Sequence, residues 1–437
     1  VTWPEGRAAT LVLDAFEPVE RAAPGAYPVP DGRGQWRLTL HSRDFTGTES
    51  VYASTIGALP DATARVLTRA WNQPAQLDFT IDGRSEQAQL IAELQQDIVA
   101  WRWDDTAGVD RPLFRGVISQ TQDVLDEDHH VINVTAHDYL ALFARRTLIN
   151  PVTYTAADQD DIMADLLSKA INVSTLSGTS LSPACVLPVT LALVNPDGSV
   201  RSSKSGQLRT VTYNASTDLL SIVDELNVLV NGFDVDLLPT GLNGTADALR
   251  IFFPYQGVQR TDLALVYGST VSKLQRQVDS STYGNFWRAV GNNGSAAVGA
   301  AQLVAEAWNV DAASVARQPI GLWQSTDNAP AVGTQAQLQD QANGDLGLYG
   351  SIIPTYTLTL APGAYSYGAP YMGDVVPLVV QSGRLNVNTN VRVLGITYRL
   401  NDDTATEDVD ITVGKPGRTL VQMIQQAQSD VNALARR

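Results

Sequence analysis

The residues best suited to chemistry lie in one short stretch, where Asp126, Glu127, Asp128, His129 and His130 are followed by His137 and Asp138. Imidazole and carboxylate together are the donor set of zinc or manganese. Their spacing matches no standard metal motif, and most of them fall in a loop between two β-branched runs, so a solvated turn is the expectation and no metal is assigned. A second acidic stretch holds Asp402, Asp403, Glu407 and Asp408. Its oxygens could draw calcium, but it lacks the glycine and the spacing of a calcium loop.

Other reaction chemistry leaves no mark. The chain has no Gly-x-Ser-x-Gly elbow, no His-Glu-x-x-His and no phosphate loop, and Ser202-Ser203-Lys204 has the wrong spacing for a Ser-x-x-Lys pair. With 46 acidic residues, carboxylate pairs of the glycosidase kind carry no signal. No enzyme, no catalytic residue and no cofactor is therefore expected. Cys185 is the one cysteine, which excludes an internal disulfide and a thiolate cluster. Among the aromatic residues, Trp101 and Trp103 share a strand face, whereas Tyr365, Tyr367 and Tyr371 sit in a Gly/Pro loop suited to a subunit contact or to stacking on a sugar.

The elements that would position these residues are mostly strands. A net charge of −16 over 437 residues, 44% of them hydrophobic, describes a chain with ample core and a surface that repels phosphates, so a nucleic-acid reader is not expected. No run is long enough to span a bilayer, and residues 1–20 do not read as a secretion signal. Strands are predicted at Leu11 to Phe16, Trp36 to Leu40, Gln76 to Ile81, Ile98 to Trp103 and Leu113 to Thr121, with a loop over 22–34 and a helix after Ser85 carrying Ala88, Leu90, Ile91 and Leu94. Helical spacing recurs over 158–170 and after Ser216 or Thr217, followed by strands at Phe233 to Leu238 and Ala248 to Phe253. A hairpin is expected about Asn195-Pro196-Asp197-Gly198 and a hinge or linker at Gly291 to Gly294. Further on come a helix over Gln335 to Leu346, a strand over Pro354 to Leu360 and, after Pro416, a heptad-spaced helix.

Two stretches read alike. Leu113-Phe114-Arg115-Gly116-Val117-Ile118-Ser119, an acidic turn and Val131-Ile132-Asn133-Val134 form one predicted hairpin; Val393-Leu394-Gly395-Ile396-Thr397-Tyr398, an acidic turn and Val409-Asp410-Ile411-Thr412-Val413 form the other. Either a sheet unit is duplicated, or two amphipathic hairpins share a common pattern.

The order of elements, carried by Arg111 to Ser119, Ser216 to Phe253, Gln335 to Leu360, Gly373 to Val376 and Val391 to Val413, resembles the hub proteins of bacteriophage tails, siphovirus-type minor tail proteins in particular. The resemblance implies an α+β, mostly β fold. Two tube-like β-barrel or sandwich domains (1–148 and 291–414) would flank an inserted α+β module (149–290), with a C-terminal helix at 415–437. It further implies a structural homotrimer at the distal end of the virion tail. That trimer would join the hexameric tail tube and distal tail protein to tape measure, tip or fibre proteins near the host envelope, and pass phage DNA in transit. The acids Asp126, Glu127, Asp128, Asp402, Asp403, Glu407 and Asp408 are then candidates to line the duct and keep the duplex from adhering. Many such proteins continue into fibre or peptidoglycan-degrading domains; this sequence departs by ending at Arg437, straight after its helical tail, which argues against lytic or receptor-binding activity of its own. A receptor-binding tail-tip adhesin and, behind it, a tail-associated cell-wall hydrolase are the rival expectations.

Overall fold

The computed structural model describes residues 36–42, 55–104, 109–176, 179–187, 189–229, 231–239, 246–278, 280–281, 283–291, 303–308, 321–329, 334–350, 354–364, 369–401 and 406–414. The strand expected at Leu11, the loop over 22–34, Tyr365, Tyr367, Asp402, Asp403 and the terminal helix lie outside these residues.

The N-terminal half supplies β1 (Trp36–Ser42), β2 (Thr55–Ala58), β3 (Thr63–Ala70), β4 (Gln76–Asp82), β5 (Gln96–Asp104), β6 (Val109–Leu125) and β7 (His130–Asp138). Alternation decides which face goes in: along β4, Leu77, Phe79 and Ile81 are buried while Gln76, Asp78 and Thr80 are less so. The helix expected after Ser85 is a single 3-10 turn at Ala88–Leu90, a correction with a local cause. Ser85 Oγ does accept from the Ala88 amide at 3.1 Å, but the Gln96 side chain then bonds Leu90 O at 2.6 Å and the Ala92 amide at 3.0 Å, taking the partners a helix would need.

The middle of the chain forms α1 (Leu140–Phe143), β8 (Val152–Asp158), α2 (Gln159–Ile171), β9 (Asn172–Leu176), β10 (Thr179–Val186), β11 (Val189–Val194), β12 (Leu208–Tyr213), α3 (Leu219–Val228), β13 (Asp234–Leu238) and β14 (Asp247–Phe252). Helix α2 opens on Asp160 and Asp161 and closes on Lys169, complementing its dipole. Helix α3 is capped by Asp218, which accepts from the Ser221 amide at 2.8 Å, and not by Ser216 or Thr217. Ile162, Met163, Leu166, Leu167, Leu219, Ile222, Val223 and Leu226 form one apolar cluster against the small sheets. Of the hairpin expected about Asn195 to Gly198 only the turn and one antiparallel bridge, Val194 to Val200, are found, with Gly198 at φ +81°; β11 finds its strand partner in β14 and pairs with it in parallel.

The C-terminal half adds β15 (Leu265–Val266), β16 (Val271–Gln277), β17 (Phe286–Gly291), β18 (Val304–Trp308), β19 (Gln324–Ala329), α4 (Gln335–Tyr349), β20 (Thr355–Leu360), β21 (Val375–Ser382), β22 (Leu385–Asn401) and β23 (Thr406–Gly414). Strands β17, β18 and β19 make a small sheet under α4. Strand β17 runs through the expected boundary at 290, and β15 and β16, expected in the inserted module, belong to the main sheet.

That main sheet has thirteen strands and contains one arrangement twice. The spatial order β3-β4-β7-β6-β5 recurs as β16-β20-β23-β22-β21, antiparallel at every step. Both long strands, β6 and β22, have 17 residues, and each has a bulge against its hairpin partner, between Ile118 and Gln120 or between Val393 and Gly395. Even the approach to the bulge repeats. Leu94, at φ +58°, donates to Ile118 O at 2.9 Å, and Gly373, at φ +82°, donates to Val393 O at 2.9 Å. The bulges equate Ser119 with Leu394 and Asp123 with Tyr398, so Gly395 corresponds to Gln120 and not to Gly116.

The two units meet edge to edge. Strand β3 pairs antiparallel with β22, from Gly395 opposite Ala70 to Arg399 opposite Val66. Core residues from both units, Leu67, Phe79, Ile118, Ile396, Leu358 and Ile411 among them, form a single cluster, and Trp36 packs on Tyr398 with ring centroids 6.3 Å apart.

Candidate functional site

The two hairpin turns were the first candidates. Asp126, Glu127 and Asp128 are exposed. Asp126 folds the turn around itself, its Oδ1 accepting from the amides of Asp128 at 3.0 Å and His129 at 2.6 Å, and these bonds hold its carboxyl below the usual range. His130 Nε2 lies 2.8 Å from Asp123, His137 Nδ1 lies 2.8 Å from Ser119 Oγ, and Asp138 is buried elsewhere. Among the described residues no group of three histidine, cysteine or acidic side chains converges as a metal site would.

In the second turn Asp408 is exposed, but Glu407 is not a solvated acid. Its carboxylate is 2% exposed, pairs with Arg102 and accepts from Trp36 Nε1 at 2.9 Å, so it is removed from the lining set. Desolvating a carboxylate is costly, and this one is buried because an arginine 305 residues away meets it.

Charge is otherwise concentrated where the inserted module meets the sheet. Arg69 of β3 reaches Asp236 of β13 at 2.6 Å, and Arg250 of β14 shares that carboxylate while donating to Tyr371 Oη at 2.7 Å. Asp234, on the same strand, pairs with Arg392 of β22, accepts from Asn72 Nδ2 at 3.3 Å and takes the Gln256 amide at 2.7 Å. Arg115 of β6 bonds Asp97 at 2.7 Å, Tyr139 Oη at 2.8 Å and Asp247 of β14 at 3.3 Å. Each carboxylate here faces at least one guanidinium, so these groups act as fasteners between layers. Tyr371, expected in an exposed aromatic loop, is one of them. Trp101 is likewise buried, donating to Thr39 Oγ1 at 2.7 Å.

Asp138, at the end of β7, makes no ion pair among the described residues, although Arg69 lies near enough to favour its charged form. Burial raises its carboxyl to about 7, although its oxygens accept from the Ala75 amide at 2.9 Å and the Leu140 amide at 3.0 Å. A folded-state value above the unfolded value of roughly 3.9 means the folded chain holds the proton more tightly, so stability falls as pH rises from about 4 to about 7 and is level beyond, by up to about 4 kcal/mol. The Asp138→Asn variant is expected to flatten that slope in urea melts taken across this range. A variant with the wild-type slope would exclude Asp138 as its source.

Cavities are small. A cleft beside Arg209, Tyr213, Glu225 and Asp340 holds about 20 Å³, room for a water molecule and not for a substrate. No helix among the described residues is long and apolar enough to cross a membrane. Exposed aromatic residues include Tyr255 and Tyr267 and, about the small sheet, Trp308 at the end of β18 and Trp323 just before β19, 54% and 43% exposed, which the sequence patterning did not single out.

The largest unsatisfied features are main-chain edges. Past Ile118, β6 continues for seven residues with β7 on one side and, among the described residues, no strand on the other. Strand β16 ends the main sheet on one side; among the described residues β20 is its strand partner, Val271 is bridged to Tyr267, and Ser272, Lys273, Gln275, Arg276 and Gln277 are exposed. An open edge offers a row of amide and carbonyl groups to another strand.

No family model and no curated protein matches the chain. Solved structures do. A prophage tail protein from Listeria monocytogenes is 11% identical with a TM-score of 0.52, over 91% of this chain and 99% of that one. A tail protein from Neisseria meningitidis is 9% identical with a TM-score of 0.51, over 87% and 97%. The tail protein of prophage MuSo2 from Shewanella oneidensis is 10% identical with a TM-score of 0.51, over 86% and 98%. The likeness is one of fold, and the fold, mostly β with a smaller α+β part, is that of phage tail proteins.

Proposed function

We propose that the chain is a structural hub of a phage tail tip, three copies of which form a ring joining the sixfold tail tube to tip or fibre proteins. The supporting observation is the five-strand order repeated within one continuous sheet. Two equivalent units per copy make six per trimer, which lets a threefold assembly present six similar surfaces to a sixfold tube. The buried ion pairs between the inserted module and the sheet, Arg69–Asp236, Arg392–Asp234 and Arg115–Asp247, fit a load-carrying part better than a reaction site.

In this reading the distal tail protein and tail tube contact one rim, and the tape measure and tip proteins the other. Exposed Asp126, Glu127, Asp128 and Asp408, with Asp402 and Asp403, face the duct. Three copies carry −48, three times the −16 of one chain, a field that repels the passing duplex. Particles carrying Asp126→Lys, Glu127→Lys and Asp128→Lys are expected to assemble and to eject DNA more slowly at low salt, with recovery as salt screens the attraction. Ejection at the normal rate in low salt would remove these acids from the duct.

The ring is tested by the native mass of the purified protein at high concentration. Three times 47.0 kDa is expected. A stable twofold dimer would overturn the reading.

A further inference from the structure

We infer that the ring closes by strand addition: the free edge of β16 in one copy pairs antiparallel with the free end of β6 in the next, placing Arg276 opposite Asp123. This rests on the ring reading and specifies its interface. The template is inside the chain. Within one copy, β3 of the first unit lies on the edge of β22 of the second, just past the point where β21 stops. By the repeat, β16 is the counterpart of β3 and β6 of β22, and among the described residues each has an open edge where its counterpart is paired; the sheet's other end, β2, has no counterpart in this seam. A contact that joins second unit to first within a copy, repeated from first unit to the second unit of a neighbour, is head-to-tail and propagates into a ring.

The register follows from the ladders. Ala136 and Val413 occupy the same place beside the two bulges; Leu77 faces Ala136 and Tyr356 faces Val413. Leu67 faces Leu77 and Arg276 faces Tyr356, so Arg276 stands where Leu67 stands. Leu67 lies opposite Tyr398, whose counterpart in β6 is Asp123. The same register sets Gln277 against Gln122 and Gln275 against Val124, and one step on it brings Leu274 to Leu125, which is 72% exposed.

The residue types agree with this docking. Where the internal seam has an apolar pair, Leu67 with Tyr398, the open edges carry opposite charges, Arg276 and Asp123, both exposed. An acid–base pair directly across two strands stabilises the pairing, whereas like charges there oppose it. The same two charges keep the free edges soluble and reject wrong registers until the right neighbour arrives.

The test is disulfide trapping in the full chain. Asp123→Cys combined with Arg276→Cys is expected to give linked dimers and a closed trimer on oxidation, since opposed strand positions lie within disulfide reach. Gln122→Cys with Arg276→Cys, which point to opposite faces, should give little. Single variants control for Cys185. In parallel, Asp123→Arg should weaken assembly roughly five- to tenfold per junction, and the exchange Asp123→Arg with Arg276→Asp should restore it. A trimer by mass with no trapping and no charge-swap rescue would overturn this interface and leave the ring intact. A chain that neither traps nor associates would overturn both.

Discussion

Replacing Arg115 by methionine is expected to cost about 3–5 kcal/mol of folding stability. Its side chain is 1% exposed and lies between Asp97, also 1% exposed, and Asp247, fully buried. Removing the guanidinium leaves two carboxylates in the interior without that cation, and methionine can fill the volume but not the charge. Part of the cost is therefore recoverable: Asp97→Asn and Asp247→Asn, each destabilising alone, should destabilise less in the Arg115→Met background. Urea unfolding of the wild type, the three single variants and the two double variants tests this, and strict additivity would show that the three groups are not coupled. The consequence is architectural, because Arg115 sits on the sheet and Asp247 on the inserted module. Loss of the pair is expected to loosen the module from the sheet before the sheet unfolds.

The Asp236→Ala variant is expected to lose about 3–5 kcal/mol for the opposite reason. It would leave the guanidiniums of Arg69 and Arg250, 10% and 12% exposed, facing each other without their shared anion. Burial opposes ionisation of Asp236, but Arg69 and Arg250 outweigh it and hold its carboxyl below the ordinary range. Its contribution is then fully present above the unfolded value of roughly 3.9 and disappears as pH falls through the lower folded value. The gap between wild type and variant should stay constant from pH 8 to pH 5 and close in acid. A gap that widens in acid would mean that Asp236 is not held ionised. Because Arg69 belongs to β3, the seam strand, the variant should also weaken the junction of β3 with β22.

These two residues mark what the sequence could and could not disclose. Strands with clean alternation, such as β4, and helices with complete apolar faces, such as α2 and α3, were legible because one face of each is buried. Strand β3 was not: Thr63-Ala64-Arg65-Val66-Leu67-Thr68-Arg69-Ala70 reads as a charged surface segment until Asp236, 167 residues away, is seen to neutralise Arg69. Glu407 misled in the same way, its acidic neighbours suggesting water where Arg102 and Trp36 enclose it. The segment after Ser85 had helical spacing, yet Leu90 and Leu94 are 37% and 65% exposed and a glutamine side chain replaces the helix bonds. The repeat was visible as two similar hairpins. Its true register was hidden because the bulges, and not the conserved-looking glycines, align the copies. The open edges of β6 and β16 have no sequence signature, since an edge is defined by the strand that is missing beside it.

The most direct measurement is a three-dimensional reconstruction of the assembled protein by electron cryomicroscopy with no symmetry imposed. The predicted result is three copies around one axis, six equivalent five-stranded units in a closed ring, and seams alternating between β3 on β22 within a copy and β16 on β6 between copies. Copies related by a twofold axis, or repeated units facing away from any common axis, would contradict it.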